Sequence, residues 1–427
     1  MYQTLIGIKL RLINLQILKK LKKALIRKIF LFICIAIKLT PNVAYAEPLR
    51  IIGWLNYETK ELLNLNTSEN NFHNNTSRIY AHKKAHNTSA QLALNLNDTR
   101  NVTFDQSFIE YKYKNANYGI GKIRRHWSFS PRTSLILSNN ARPSTSIYFD
   151  LKGSKSDGYP LPWINRWSLE GFNSFLSNTN NPKNTMMMGL RMVIQPIYNF
   201  KFELIKTSQW GGDGYATDLS ALKASLLGNT NEKRNKNINQ MAGFGLSYKT
   251  IINKLPIRLY SQSIGEDEAG NLPNCYMHII GGELGDLSNK FISNFGLEYV
   301  DTRIDLSSNG NCGPRTSYNN NTYKYTNYDR SLGAAIDGDS KLIMLRGSTA
   351  LSKNMNINYS IGKVIINNYN NPLHRLSNTR EKGLLSTLAT TWDLSSLKLN
   401  GKITYQNFDL NESTKGLGLT FNAKYTF

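Results

Sequence analysis

No stretch of this 427-residue chain holds the roughly 20 consecutive apolar residues that a bilayer-spanning helix needs, and its mean hydropathy is −0.40. A polytopic helical membrane protein is excluded. Acidic residues are few, 29 against 52 Lys and Arg, and only three cysteines are present. Neither a Gly-x-Ser-x-Gly elbow nor a His-Glu-x-x-His string occurs, which removes the hydrolases built on those arrangements.

The first 46 residues stand apart. They hold nine Lys or Arg, no Asp or Glu, an apolar run from Ile29 to Ile37, and then Ala44-Tyr45-Ala46. A basic segment, a short apolar core and a small-x-small site form a secretory signal peptide, so the mature chain is expected to begin near Glu47. Removing this segment lowers the net charge from +23 to +14. A basic exported surface favours an acidic polymer as partner, and export makes nucleic acid the least suitable one. Cys34 leaves with the leader, so Cys275 and Cys312 meet an oxidising compartment, where pairing is expected.

What the chain has in quantity is alternation. Leu417, Leu419, Phe421, Ala423, Tyr425 and Phe427 interleave with small or polar residues up to the C-terminus. Successive strand side chains point to opposite faces, so this segment has one apolar face and one polar face. The pattern recurs at Leu397 to Gln406, Met355 to Ile361, Phe291 to Tyr299, Phe244 to Lys249 and Tyr198 to Leu204. With a terminal aromatic residue, the pattern predicts an all-β fold, a transmembrane antiparallel β-barrel whose apolar faces meet lipid. Strand-poor territory is confined to Asn64 to Arg100, rich in Asn, Ser and Thr, and to Leu219 to Leu227, whose helical spacing lies between an Asp218 cap and Gly228. The expected organisation is a leader (1–46), an N-terminal periplasmic, plug-like or loop segment (47–105) and the barrel (106–427).

Connections alternate in length back from Phe427: long at Asp409 to Lys415, short at Ser395-Ser396, long at Asn367 to Lys382, short near Lys353-Asn354. Short turns are periplasmic and long loops extracellular in bacterial barrels. Ile304 to Ser340 and Glu266 to Asn274 are then external and Gly285 to Asn289 periplasmic, which brings Cys275 and Cys312 to neighbouring external loops. A disulfide there closes 37 residues.

Chemistry-bearing clusters are sparse. His82 and His86 are four apart but lack a carboxylate or thiolate to complete a zinc site. Glu266, Asp267 and Glu268 have the oxygens for Ca²⁺, yet adjacent acids also cap and solvate a strand end, the preferred reading here. Neither metal nor cofactor is expected.

Several strings occur in order: Leu137-Ser138-Asn139-Asn140-Ala141-Arg142-Pro143, Gly189-Leu190-Arg191-Met192, Ser208-Gln209-Trp210-Gly211-Gly212-Asp213-Gly214, Asn239-Gln240-Met241-Ala242-Gly243-Phe244 and Gly265-Glu266-Asp267-Glu268-Ala269-Gly270. Together they resemble the capsule assembly Wzi family over about Gln106 to Phe427. The resemblance implies an 18-strand outer-membrane barrel with long extracellular loops and a minor helical part. It also implies a surface lectin, not an enzyme, that anchors capsular or other surface polysaccharide. Implied partners are that polysaccharide, outer-membrane lipid and the barrel-assembly machinery, which would meet the C-terminal strand. His126-Trp127-Ser128-Phe129-Ser130-Pro131 departs from the family's Trp-Gly-Pro at that point.

Sugar binding uses flat aromatic faces together with planar or charged donors. The external loops offer Trp210, Asp213 and Tyr215 in one group and Arg124, Arg125, Trp127 and Arg142 in another. The alternative function for such a barrel is a porin or a solute or polysaccharide channel.

Overall fold

The computed structural model describes residues 47–65, 76–96, 101–155, 164–177, 179, 181–228, 237–269, 272–286, 292–304 and 312–427. The leader expected over residues 1–46 lies outside them. Two compact units divide the chain. One is Met1–Pro48 with Lys83–His86; the other, Leu49–His82 with Asn87–Phe427, carries the features below.

The strands, in chain order, are β1 (Arg50–Glu58), β2 (Thr76–Ala85), β3 (Thr88–Leu96), the two-residue β4 (Val102–Thr103), β5 (Phe108–Tyr113), β6 (Ala116–Gly121), β7 (Thr145–Ser154), β8 (Arg166–Phe175), β9 (Met186–Ile197) and β10 (Phe200–Trp210). Helix α1 (Leu219–Leu227) follows, then β11 (Asn239–Ile252), β12 (Leu255–Ala269), β13 (Leu272–Asp286) and β14 (Ile292–Asp301). A small hairpin, β15 (Thr326–Asn327) and β16 (Arg330–Ser331), precedes β17 (Lys341–Ser352), β18 (Met355–Ile366), β19 (Glu381–Leu394), β20 (Leu397–Gln406) and β21 (Gly416–Thr426).

Neighbouring strands pair antiparallel, β14 passing directly to β17, and β21 returns to β1 through a register running from Ile52 opposite Thr426 to Glu58 opposite Thr420. The sheet has 19 strands, and β4 adds only a bridge at the end of β3, so 18 strands make the closed wall. Closure leaves no sheet edge to be satisfied in lipid.

The apolar faces point outward. Leu204, Leu259, Leu297, Leu345, Ile403 and Leu419 are all exposed, whereas their polar neighbours Glu203, Gln262 and Glu298 are buried inside. That inversion of the usual burial rule is what a hydrocarbon solvent demands. Two-residue turns such as Asn253-Lys254, with both φ angles left-handed (49° and 68°), close the periplasmic rim. Longer connections, 122–144, 211–238, 302–340 and 367–380, leave the opposite rim.

Two expectations need correction. The segment 47–105 is not separate from the barrel, because β1, β2 and β3 are wall strands and β1 supplies the closing seam. Within Asn64 to Arg100, residues 66–75 and 97–100 lie outside the described set. The external turn expected at Glu266 to Asn274 is shorter, since β12 runs on to Ala269 and β13 starts at Leu272. The predicted helix forms as read: Asp218 accepts a hydrogen bond from the Ala221 backbone N–H, and Gly228 ends the helix at φ 83°.

The main apolar core lies inside the barrel. Leu135, Ile136, Tyr318, Tyr325 and Ile336 come from external loops that fold back into the lumen, where they are at most 1% exposed. Burying each aliphatic side chain contributes about 1.5–3 kcal/mol. The lumen thus holds packed chain as well as being bounded by wall.

Candidate functional site

The 122–144 loop contains five cations (Lys122, Arg124, Arg125, Arg132, Arg142) and no acid. Drawing such a segment into the lumen requires partners, because a buried charge without one costs several kcal/mol. Asp105, between β4 and β5, pairs with two of these cations, Lys122 at 3.8 Å and Arg142 at 2.8 Å, while strand carboxylates form their own ion pairs and accept from neutral groups of the loop. Arg191 holds Glu203 at 2.6 Å and Glu170 at 3.4 Å, and Glu170 accepts the Trp127 indole N–H at 3.0 Å. Glu298 accepts hydrogen bonds from Ser130, Thr133 and Tyr260 at 2.5, 2.7 and 2.8 Å. Arg258 and Arg346 share Glu283, each at 2.5 Å, and Arg258 also donates to the Phe129 carbonyl.

A second loop, 312–340, locks the first. The Tyr318 hydroxyl donates to the Leu135 carbonyl and Tyr325 to that of Ile136, both at 2.7 Å, with the two rings stacked 5.6 Å apart. Burial pushes both phenols well above their ordinary range, so they remain donors at every physiological pH. Cys275 on β13 and Cys312 in the loop are joined by a disulfide with Cα atoms 5.2 Å apart, and Glu266 on β12 accepts the Tyr318 backbone N–H. Asp337 pairs with Arg375 of the 367–380 loop. Burial alone would raise the Asp337 carboxyl, but Arg375, His374 and the Gly338 N–H together hold it below the usual carboxylate range.

The sequence-predicted sugar residues separate into two groups. Trp127 is 2% exposed, edge-on to Phe172 at 5.4 Å, and Trp210 is 3% exposed beside Met188 and Ala221 of α1. Both rings are largely covered by protein, and Trp210 also lines a shallow pocket with Thr217, Asp218 and Leu222. Arg125 also points inward, 4.1 Å above the Phe172 ring and bonded to Ser146, and burial lowers its guanidinium to about 10. Arg124 lines a lumenal cavity. Arg142, Asp213 and Tyr215 remain at the surface.

The β15–β16 hairpin, which sequence reasoning missed, joins those survivors. Asn327 donates to the Arg142 carbonyl at 2.8 Å, Tyr323 donates to the Gly211 carbonyl at 2.8 Å, and the Tyr323 ring meets Tyr215 at 5.8 Å. Tyr328 and Asp329 form the turn with left-handed φ of 51° and 62°. Both left-handed φ values are what a two-residue hairpin turn between Asn327 and Arg330 requires, and they are uncommon for a tyrosine. Arg142 clamps Asp105 through Nε and Nη2 at 2.8 and 3.2 Å. Asn184 donates to Asp213 at 2.9 Å. Together these make a rim patch of Arg142, Tyr328, Tyr215, Asp213 and Asn184. The clue was the run Tyr323-Lys324-Tyr325-Thr326-Asn327-Tyr328 in an Asn-rich loop.

His82 lies on β2, its Nε2 within 3.0 Å of the Ser89 hydroxyl, and His86 in the following turn, so the pair shares no helix face. The Asp267 and Glu268 side chains lie outside the described residues. Among the described residues no three His, Cys, Asp or Glu side chains gather as metal ligands would.

A plugged 18-strand wall with long external loops narrows the choice of family, and the sequence pattern of the family described as capsule assembly protein Wzi matches residues 56–422. The chain belongs to the capsule assembly Wzi family. Its fold is that of an Escherichia coli outer-membrane protein described as Wzi, involved in group 1 capsule assembly and a carbohydrate-binding β-barrel. The two superpose with a TM-score of 0.77 at 22% identity, over 88% of this chain and 84% of that one. An Acinetobacter baumannii barrel, OccAB2, is more distant, at a TM-score of 0.51 and 11% identity over 89% of this chain and 97% of its own. A Klebsiella pneumoniae protein described as an uncharacterized 55.8 kDa protein in the cps region is 26% identical over 199 residues, 46% of this chain. This Wzi-family chain matches only 40% of that relative's length. The Wzi fold is that of an outer-membrane barrel.

Proposed function

We propose that this Wzi-family barrel is a surface lectin that binds and anchors capsular or exported polysaccharide at the outer face during capsule assembly. The observation that carries the reading is the lumen plug. Loops 122–144 and 312–340 pack together inside the barrel and support Arg142, Tyr328 and Tyr215 as a rim patch. A cation beside aromatic rings suits an acidic saccharide, the ring faces meeting pyranose C–H groups and the guanidinium meeting carboxylates. The reading assigns no catalytic step and no cofactor. Export by the leader and insertion through the strand ending at Phe427, into outer-membrane lipid by the barrel-assembly machinery, belong to the same proposal.

A deletion strain is expected to shed polysaccharide into the medium, and the wild-type gene to restore retention. Purified barrel in planar bilayers is expected to show no stable open channel. Full retention by the deletion strain, together with steady conductance, would replace this reading with the porin one.

A further inference from the structure

Beneath the plug the lumen is not filled. A cavity of ≈ 780 Å³ lies against β1, β18, β19, β20 and β21. Its wall is ordered by strand register. Asn56, Asn422, Asn400, Thr391 and Asn356 are successive cross-strand partners, forming one row over five strands. At about 4.8 Å per strand, the row spans about 19 Å. Asn400 donates to Thr391 at 2.9 Å and Asn422 to Asn400 at 3.3 Å, which leaves the buried Asn422 Oδ1 with no partner among the described residues. The Trp54 indole N–H, also on the cavity wall, is buried and unpartnered in the same way.

Six cations line this space (Arg124, Arg132, Arg330, Lys398, Lys402 and Lys424) against a single acid, Glu58. Trp54, Lys424 and Lys398 are cross-strand neighbours two residues nearer the periplasmic rim than the amide row. At that rim Lys398 pairs with Asp393, and their side chains stay 53% and 41% exposed. The opposite end is roofed by Leu62, Leu65, Pro131 and Arg132 of the inward-folded loops. Lys398 marks the end of the chamber nearer the periplasmic rim.

We infer that this chamber is a second binding site, facing the periplasm, that accepts a short stretch of carboxylate-bearing saccharide. Rows of amides and hydroxyls repeat at the strand spacing and meet sugar hydroxyls along a chain. The Trp54 ring, which carries the Arg78 guanidinium 4.7 Å from its centroid, supplies an aromatic surface, and the cation excess selects an acidic chain over a neutral one. A free phosphate shares the charge but not the length. The inference is independent of the external patch, because no residue of that patch lines the chamber.

The test uses the full barrel in detergent, with a hexamer of galacturonic acid, a neutral glucose hexamer and inorganic phosphate as probes. The acidic hexamer is expected to bind by calorimetry and to change tryptophan fluorescence, and Trp54→Phe is expected to abolish the fluorescence change. Lys402→Gln with Lys424→Gln is expected to weaken binding at least tenfold, as is raising salt to half molar. If that double variant loses heat-modifiable migration, Lys402→Gln alone is measured, with at least a threefold loss expected. Undiminished binding by a folded variant overturns the inference. So does neutral hexamer binding as tightly as the acidic one, or phosphate binding as tightly as either. Capsule shedding reads the external patch and not this signal, so failure of either reading is recognised separately.

Discussion

The Arg142 guanidinium lies over the Tyr328 ring, 4.2 Å from its centroid, while its Nε holds the buried Asp105 carboxylate at 2.8 Å. A planar cation held by a carboxylate on its edge and a ring on its face cannot be replaced by an ammonium without loss. Tyr328→Ala and Arg142→Lys are each expected to weaken polysaccharide binding by about 1–2 kcal/mol, roughly five- to thirtyfold, with the barrel still inserted. Glycan-array or calorimetric titration of the purified variants checks this. Unchanged affinity in both moves the binding surface elsewhere.

The Cys275–Cys312 bond tethers the plug to the wall across 37 residues of sequence. Removing it by Cys312→Ser is expected to release about 4 kcal/mol of loop-closure stabilisation. The loss falls on the 312–340 loop, so its amides should exchange with deuterium faster while the barrel keeps its heat-modifiable migration. Equal exchange in the oxidised and Ser forms would contradict this.

Gly281 lies directly opposite Tyr260, and a Cβ at Gly281 would approach the Tyr260 ring and hydroxyl to 2.4 Å. Gly281→Ala must therefore push Tyr260 off Glu298. The expected cost is about 1–3 kcal/mol for overpacking, read as a lower unfolding midpoint in denaturant. Tyr260→Phe, which keeps the ring and removes only the hydroxyl, is expected to cost less. A Gly281→Ala barrel as stable as wild type would show that the ring moves freely.

His126 is drawn into the lumen with Nε2 2.7 Å from the Ser130 carbonyl, and burial lowers its pKa despite that bond. In unfolded chain the group titrates near about 6.5. Between the depressed folded value and about 6.5 the unfolded loop binds more protons, so stability rises with pH across that window. The plug is thus expected to be firm at pH 7.5 and to loosen on acidification through and below about 6.5. Exchange rates of the 122–144 amides, measured at both pH values in wild type and His126→Gln, check the sign. A plug that tightens in acid would reverse it.

The sequence spoke most clearly where a strand's outer face is large and its inner face small. From Leu417 to Phe427 and from Leu397 to Gln406 every second residue separates the two solvents, and both segments form the strands expected. Helix α1 was equally plain, since Asp218 and Gly228 mark its ends by local chemistry alone. β2 was hidden because its outward side chains include only Ile79 as a large apolar residue, between Ser77 and Ala81, while Thr76, Arg78 and Tyr80 face inward. The site was less legible than the wall. A period of two tells which face a strand residue occupies, but not that a loop returns to the lumen and buries Trp127. Nor does it show that Tyr328 turns a hairpin, which depends on a backbone conformation tyrosine rarely adopts.

The seam between β1 and β21 joins the first and last strands of the sheet in chain order, with Asn56 opposite Asn422. Every other neighbouring pair of wall strands can zip as the polypeptide is delivered, whereas this one waits for the last segment to arrive. The cylinder is therefore completed by its final zipper, and a product cut short at either terminal strand would hold two open, sticky borders that can be satisfied only by another molecule.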